Sequence, residues 1–381
     1  MKTKVLVGNK SWIRNGRERI RSPVRWPAWI FVLIWTATAF GQRATIDRPL
    51  KTDIAEGATS NEQRLIKQDK TDLAEDFAND AQRRQLPTMS GQRYTLQDSW
   101  IGNQFINGNA SGDKWSFYDR EDPTHGQVRY GKWNELMNIV DGNKMKIDVE
   151  SEGFNSGEKR KTIRVFTDKK YNEGLFIIDL DHIPEGLAVW PAIWLVGTGA
   201  QWPENGEIDI IEGINSTSSA HNRNQSTLHT RKGCVQNIPN ILNSDCNAND
   251  GFVGCGVMGP ENSFGHGFNQ NGGGAYACEW IHDQTIKIWF WRRAEIPANV
   301  LGDSPDPNTW GDPYGSFNSC PGYFKDMEII INTTLCGDWA GNDYPGGLDK
   351  CREYVRDTKN NTNFRDAYFL IRSVKVFTQK P

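Results

Sequence analysis

Hydrophobic and polar residues alternate in several short segments between Tyr94 and Phe377, and clusters of Gly, Asn, Pro and Asp separate these segments. The clearest examples are residues 162–167, 173–180, 285–292, 327–332 and 367–377. A period of two is typical of strands that bury one face, and the turn residues end each run. The pattern therefore predicts an all-β domain, a sandwich of two antiparallel sheets, over residues 91–381.

The N-terminal part of the chain has a different pattern. Eight Lys and Arg residues precede an uncharged, largely apolar stretch at residues 26–42, and Ala39, Phe40 and Gly41 fit a cleavage site before Gln42. At about 17 residues the stretch is borderline between a signal peptide and a membrane span. Residues 1–41 are therefore predicted to be a cleaved signal peptide or a type II signal anchor, with a buried core helix as the third alternative.

Residues 42–90 are rich in charged and polar side chains and hold one aromatic residue, Phe77. Such a segment buries too little apolar surface to offset the conformational entropy lost on ordering. It is predicted to be a polar linker. With either export signal, the domain at residues 91–381 is expected to be secreted, or extracellular and membrane-anchored.

Composition and charge indicate the fold class and limit the kinds of binding partner. The chain has 15 Trp and 37 Gly, and 11% of its residues are aromatic, which favours a β-rich fold with large turns and an aromatic-lined surface. Its net charge is −3, although residues 1–41 carry eight basic residues and one acidic residue, so the remainder is acidic. An acidic body argues against a nucleic-acid partner.

The cysteines and the glycosylation sequons also favour export. All seven cysteines lie between Cys234 and Cys351, and no spacing among them predicts a zinc site. Cys336 and Cys351 are the first predicted disulfide, because the Gly-rich interval of 14 residues between them closes easily. The odd count leaves one thiol, and Cys278 in a strand-like segment fits a buried, unpaired residue. N-x-S/T sequons, which predict a glycoprotein, begin at Asn109, Asn215, Asn224, Asn332 and Asn360.

The segment GEIDIIEG at residues 206–213 holds the candidate chemistry. In a strand, Glu207 and Asp209 point to one face, whereas the odd offset of Glu212 would turn it into the core. The doubled Ile210-Ile211 indicates a β-bulge, in which one extra residue returns Glu212 to the face of the other acids.

Three aligned acids are electrostatically costly, because like charges raise the pKa of at least one carboxyl group. An ionised carboxylate beside a protonated one is what glycoside cleavage requires. The two glutamates would start ~13 Å apart at Cα and lean inward to the ~5–5.5 Å of retaining enzymes. A solvated acidic strand face is the alternative interpretation.

Aromatic residues surround this motif in the sequence. Trp190 and Trp194 are four residues apart and share a strand face, Trp202 follows them, and His229 lies on the next predicted strand. Indole rings are good platforms for the apolar faces of sugars. Core packing is the alternative for each Trp, and a structural role is the alternative for His229.

These motifs, together with residues 94–100, 122–126, 264–269, 272–280 and 336–341, resemble glycoside hydrolase family 16. The similarity covers about residues 94–378 and is strongest to the laminarinase-type endo-1,3(4)-β-glucanases with a bulged E-x-D-x-x-E motif. It implies a concanavalin A-like β-jelly-roll with an open cleft and a retaining double displacement. The implied substrate is a β-1,3- or mixed β-1,3/1,4-glucan.

By this resemblance Glu207 is the nucleophile, Glu212 the acid/base and Asp209 the assisting carboxylate. Trp190, Trp194, Trp202 and His229 are the predicted substrate-binding residues. No metal is predicted at the acids and no cofactor is required, although a structural calcium without assignable ligands is possible. A transglycosylase and a non-hydrolytic glucan-binding protein are the alternative functions, and the chain is expected to be a monomer.

Overall fold

Two eight-stranded antiparallel sheets dominate the part of the chain that the computed structural model describes, residues 93–380 without 153, 156, 215–221, 250 and 252. The predicted leader (1–41) and linker (42–90) lie outside the described residues. Strands are numbered here in chain order. In spatial order the first sheet contains β16 (Gly315–Asn318), β15 (Thr285–Arg292), β14 (Gly274–Ile281), β8 (Gly174–His182), β18 (Tyr368–Gln379), β5 (Lys144–Asp148) and β4 (Met137–Val140), and β1 (Tyr94–Trp100) also pairs with β18.

The second sheet carries the motif strand near its middle. Its order is β12 (Ile241–Asn243), β13 (Cys255–Met258), β11 (Gln225–His229), β10 (Glu207–Glu212), β9 (Val189–Gly197), β17 (Met327–Leu335), β7 (Arg164–Thr167) and β2 (Trp115–Phe117). A separate parallel pair is formed by β3 (Val128–Tyr130) and β6 (Arg160–Thr162). The described helices are short: α1 (Gln104–Asn107), α2 (Gly265–Gln270) and α3 (Gly347–Arg356). None of these helices combines the length and the apolar character that a membrane crossing requires.

The predicted strands are found with small differences in their ends. Strand β15 has the predicted bounds, and the predicted strand at 327–332 extends to Leu335. The predicted single strand at 162–167 is wrong in one respect, because it forms two strands, β6 and β7. Between them the chain passes from the parallel pair into the second sheet, and the linking residue Ile163 is buried in the core.

Facing side chains of the two sheets form one continuous core. Ile208 and Ile211 of β10 are fully buried in it, as are Ile178 of β8 and Ile288 of β15. The outer face of the first sheet is covered by a smaller apolar cluster, in which Trp289 packs against Trp310 of the following loop. Burying both faces of the first sheet leaves the outer face of the second sheet to carry the polar and aromatic side chains of the candidate site.

Three disulfides hold the loops of the domain. Cys336–Cys351 is formed as predicted, and the other two bonds are Cys234–Cys320 and Cys246–Cys255. Cys278 is unpaired and fully buried in β14, which confirms the prediction for this residue.

Burial changes the glycosylation prediction. Asn109, Asn224 and Asn332 are between 0% and 8% exposed, and each side-chain amide is hydrogen-bonded within the protein. Asn360 is partly exposed, and Asn215 lies outside the described residues. Secretion from a yeast host followed by glycopeptide mapping is expected to find no glycan on the three buried asparagines. Occupancy of Asn224 in active enzyme would contradict this burial.

Candidate active site

The three acids of β10 share one face of the sheet because the strand contains a bulge. The pairing with β9 sets Glu207 opposite Val196, Asp209 opposite Trp194 and Glu212 opposite Ala192. The register shifts between Asp209 and Ile211, so one extra residue of β10 is accommodated there. Since every second residue of β9 points to the same side, all three acids point to that side. The predicted bulge at Ile210–Ile211 is confirmed.

The start of β10 is fixed by a glycine. Gly206 has φ +79°, a conformation that disfavours residues with a Cβ atom. A Cβ atom at this position would also lie 2.7 Å from the carbonyl oxygen of Tyr323. Gly206 therefore lets the chain enter the strand in close contact with a neighbouring loop and places Glu207 at its first position.

The acids line an open pocket of about 390 Å³. Its lining also includes four aromatic or apolar residues of β9, polar residues of β17, one residue of β7 and parts of three connecting segments, namely Pro123, Thr124, Arg164, Trp190, Ala192, Trp194, Val196, Trp202, Asn332, Thr334 and Asp338. Six of the seven predicted site residues are among the lining residues. The seventh, His229, contacts the acids: its Nε2 lies 3.2 Å from Asp209 Oδ2 and 3.7 Å from Glu207 Oε1.

Each outer glutamate accepts a hydrogen bond from its own indole. Trp202 Nε1 donates to Glu207 Oε2 at 2.9 Å, and Trp190 Nε1 donates to Glu212 Oε1 at 2.9 Å. The third indole, of Trp194, donates to Asn332 Oδ1 at 2.7 Å. The sequence predicted these residues as stacking surfaces only. The structure adds a polar function, because an N–H that donates to a carboxylate favours its ionised form.

The pKa values of all three carboxyl groups are raised. Burial and the nearby Asp209 raise the pKa of Glu207 to about 8, against the opposing effects of His229 and Trp202. Burial and Asp209 likewise raise the pKa of Glu212 to about 8, against His229 and Trp190. Burial alone raises the pKa of Asp209 well above its ordinary value. The cluster therefore retains protons at neutral pH, where isolated carboxyl groups are ionised.

One group of ligand atoms in the pocket is close enough for a metal ion. Glu207, Asp209 and His229 offer atoms within 4.8 Å of one another. Elsewhere among residues 93–380, as far as they are described, no other three acidic, histidine or cysteine side chains come as close. The structural calcium that the resemblance implies therefore stays a prediction without assigned ligands.

Several pocket residues were missed in the sequence. Arg164 lies between two rings, with Cζ 5.0 Å from the centre of Trp194 and 4.7 Å from that of Tyr118. Asn332 and Thr334 face the pocket from β17. The alternation in 162–167 and 327–332 already marks Arg164 and Asn332 as polar positions between buried ones. Only the sheet order brings them beside the acids.

Comparison with known proteins gives consistent matches. Residues 115–377 match the family model of the XgeA-like, catalytic GH16 domain. The chain is 37% identical over 318 residues to a probable endo-1,3(4)-beta-glucanase of Neosartorya fischeri, covering 77% of this chain and 46% of that protein. It is 31% identical over 314 residues to the endo-1,3(4)-beta-glucanase xgeA of Emericella nidulans, covering 76% and 48%. The chain thus spans about half the length of these relatives.

Solved structures agree with this match. An elongating GH family 16 beta-1,3-glucosyltransferase is 33% identical, with a TM-score of 0.67 over 75% of this chain and 100% of that chain. Laminarinase 16A from Phanerochaete chrysosporium, with 6-O-glucosyl-laminaritriose in its donor and acceptor sites, is 32% identical, with a TM-score of 0.66 over 75% and 99%. The predicted jelly-roll sandwich is thereby confirmed.

Proposed function

Because the chain belongs to glycoside hydrolase family 16, we propose that it is a retaining endo-β-glucanase that hydrolyses β-1,3- or mixed β-1,3/1,4-glucans. The observation that carries the proposal is the register shift in β10, which sets Glu207 and Glu212 on one face of an open pocket. The names of the relatives support the substrate class.

In the proposed reaction Glu207 attacks the anomeric carbon while Glu212 gives its proton to the departing glycosidic oxygen. The bond between the two sugars breaks, and the sugar on the non-reducing side is bound to Glu207 as an ester. Glu212, now ionised, takes a proton from water, and the oxygen of that water displaces Glu207. Two inversions leave the product with the configuration of the substrate.

The surroundings of the two glutamates support these separate roles. Glu207 receives the Trp202 N–H and lies 3.7 Å from His229 Nε2, so two groups favour its anionic form. Glu212 receives the Trp190 N–H, and His229 lowers its pKa too, but among the described residues it forms no ion pair with that histidine. Asp209, 3% exposed at its side chain, lies between them against His229 and raises the pKa of both glutamates. Its position suits a carboxyl group that tunes the pair.

The two indole donors allow the roles to be tested separately. In Trp202→Phe, Glu207 loses a hydrogen-bond donor, so the pKa of Glu207 rises. The acidic limb of the profile of kcat/KM against pH reports ionisation of the nucleophile, and it therefore moves to higher pH. In Trp190→Phe, Glu212 loses a donor, its pKa rises, and the basic limb moves to higher pH instead.

The pH profiles of both variants on soluble glucan provide the measurement. Phenylalanine keeps an aromatic ring in each position, so each variant serves as the matched control for the other. If the limbs respond in the opposite assignment, the nucleophile and the acid/base must be exchanged.

Transfer of the glycosyl group to a second sugar is the other function with a specific observation behind it, the likeness to a beta-1,3-glucosyltransferase. Both reactions share the first half. Incubation with laminarin, lichenan, mixed-linkage glucan, agarose and galactan, followed by chromatography, tests substrate and reaction together. Shorter products from β-glucans are expected. Products longer than the input would indicate transferase activity, and bound but uncut glucan would indicate a non-hydrolytic binding protein.

We further propose that residues 1–41 direct export of the chain and that residues 42–90 link them to the catalytic domain. The basic residues, the uncharged stretch and the predicted cleavage site support this proposal. The mass and N-terminal residue of exported protein distinguish a cleaved signal, with Gln42 first, from a retained anchor.

A further inference from the structure

The bulge that positions Glu212 leaves two backbone groups of β10 without a hydrogen-bond partner in the neighbouring strand β11. Pairing of β10 with β11 runs from Glu207 to Asp209 and stops at the Asp209–Thr227 pair. The carbonyl group of Ile210 and the N–H of Glu212 therefore fall outside this ladder. Ile210 is fully buried, and a buried peptide group without a hydrogen bond destabilises the fold, because it has lost its bonds to water.

One side chain satisfies both groups. Asn224 Oδ1 accepts from the N–H of Glu212 at 2.9 Å, and Asn224 Nδ2 donates to the carbonyl oxygen of Ile210 at 2.8 Å. Asn224 is 0% exposed. Its carboxamide has the donor and acceptor of a peptide group and takes the place that a strand peptide would occupy beside the bulge.

Neighbouring hydroxyl groups fix the orientation of this carboxamide. Ser226 Oγ also donates to the Ile210 carbonyl oxygen, at 2.8 Å, and lies 2.7 Å from Tyr314 Oη. Asn224 Nδ2 is 3.1 Å from Ser226 Oγ and 3.2 Å from Tyr314 Oη. Turning the amide over would set its oxygen against the Ile210 carbonyl and its NH₂ group against an N–H.

We propose that Asn224 is a positioning residue for the proton transfer by Glu212, an inference that rests on the proposed function. The backbone of Glu212 is held by Asn224 on one side, and its carboxyl group is held by Trp190 at 2.9 Å on the other. Aspartate lacks the donor, glutamine is one methylene longer, and alanine offers neither group. Only asparagine supplies both hydrogen bonds at this distance.

The chain offers a matched control in Asn109. It is also a buried asparagine in an N-x-S sequence, and its side chain likewise bonds both backbone and side-chain groups. Its Oδ1 accepts from the N–H groups of Ser111 and Asp113, and its Nδ2 donates to Asp98 Oδ1. Asn109 is not among the residues that line the pocket. Asn109→Ala therefore reports the loss of a buried asparagine without a change at the acids.

Two substrates separate positioning from general destabilisation. Cleavage of glucan needs the proton of Glu212. In the dinitrophenyl β-glycoside of a glucan oligosaccharide with matching linkage, the leaving group departs without a proton. Azide can then replace water in the second step without a general base. For Asn224→Ala we expect glucan turnover to fall by about 100-fold, with KM and the aryl glycoside rate in azide within about threefold of wild type. Asn224→Asp is expected to show the same selective loss.

Equal losses on both substrates, or the same ratio of rates as in Asn109→Ala, would overturn the inference. If Asn224→Ala does not fold, Ser226→Ala removes one of the two donors to the Ile210 carbonyl, and a smaller but equally selective loss is then required. Glu212→Gln distinguishes the two levels of the proposal. A Glu212→Gln variant without selective loss contradicts the proposed function, whereas selective loss in Glu212→Gln alone contradicts only the role of Asn224.

Discussion

Glu207→Gln is expected to lower glucan turnover by at least about 10⁴-fold, and Glu212→Gln by about 10²–10⁴-fold, with the fold retained. Glutamine has nearly the shape of glutamate, but its amide neither attacks the anomeric carbon nor exchanges a proton with the glycosidic oxygen. Release of reducing sugar from laminarin measures both losses. Glu279→Gln is the control, because Glu279 is also a buried glutamate but lies in β14 of the other sheet.

The alanine variants of the same two residues identify which glutamate does what. In Glu207→Ala, azide enters the space of the lost nucleophile and is expected to give an α-glycosyl azide from an activated substrate. In Glu212→Ala the intermediate still forms on Glu207, so azide is expected to give a β-glycosyl azide. Near wild-type turnover in either glutamine variant, or exchanged azide products, would refute the assignment.

The second large effect concerns stability. A carboxyl group whose pKa is about 8 in the folded protein and near its ordinary value in the unfolded chain binds more protons when folded between those two values. The free energy of unfolding therefore falls as pH rises through this window and levels off above about pH 8. Glu212→Gln removes this penalty. It is expected to match wild type near pH 4 and to exceed it by about 3–5 kcal/mol near pH 8.

Urea unfolding at both pH values measures the difference. Glu279→Gln again provides the contrast, because it weakens the interactions of Glu279 with Arg93, Tyr94 and Lys287 and is expected to destabilise the protein. A gain for Glu212→Gln that is independent of pH, or a loss near pH 8, would show that the carboxyl group carries no such penalty. Glu212→Gln is thus expected to be more stable and less active than wild type, because the wild-type fold is destabilised by the three acids that catalysis requires.

The sequence predicted the acids better than it predicted what holds them. The odd spacing of Glu212 and the doubled isoleucine are local signals, and a bulge follows from strand geometry alone. The hydrogen bonds from Asn224 to the bulge are not a local signal, because they depend on where the pairing between β10 and β11 ends. The hydrogen bonds of Trp190 and Trp202 to the acids likewise depend on side-chain directions that no periodicity contains.

Burial and long-range strand pairing explain the other differences between the predictions and the structure. A sequon is a three-residue pattern that says nothing about exposure, and Asn224 and Asn332 use their amides inside the protein instead. Alternation at 162–167 predicted strand structure correctly but not its division between two sheets, which depends on the distant partners β3 and β2. Because of this division Arg164 lies in β7 of the second sheet, where it lines the pocket.

The most direct test of the account is to trap the intermediate. A β-glucoside with fluorine beside the anomeric carbon and a good leaving group slows the second half of the reaction, so the glycosyl-enzyme accumulates and peptide mass spectrometry locates the sugar. We expect the label to be attached to Glu207 alone. A sugar on Glu212 or Asp209, or an unlabelled enzyme that releases product with inverted configuration, would contradict it.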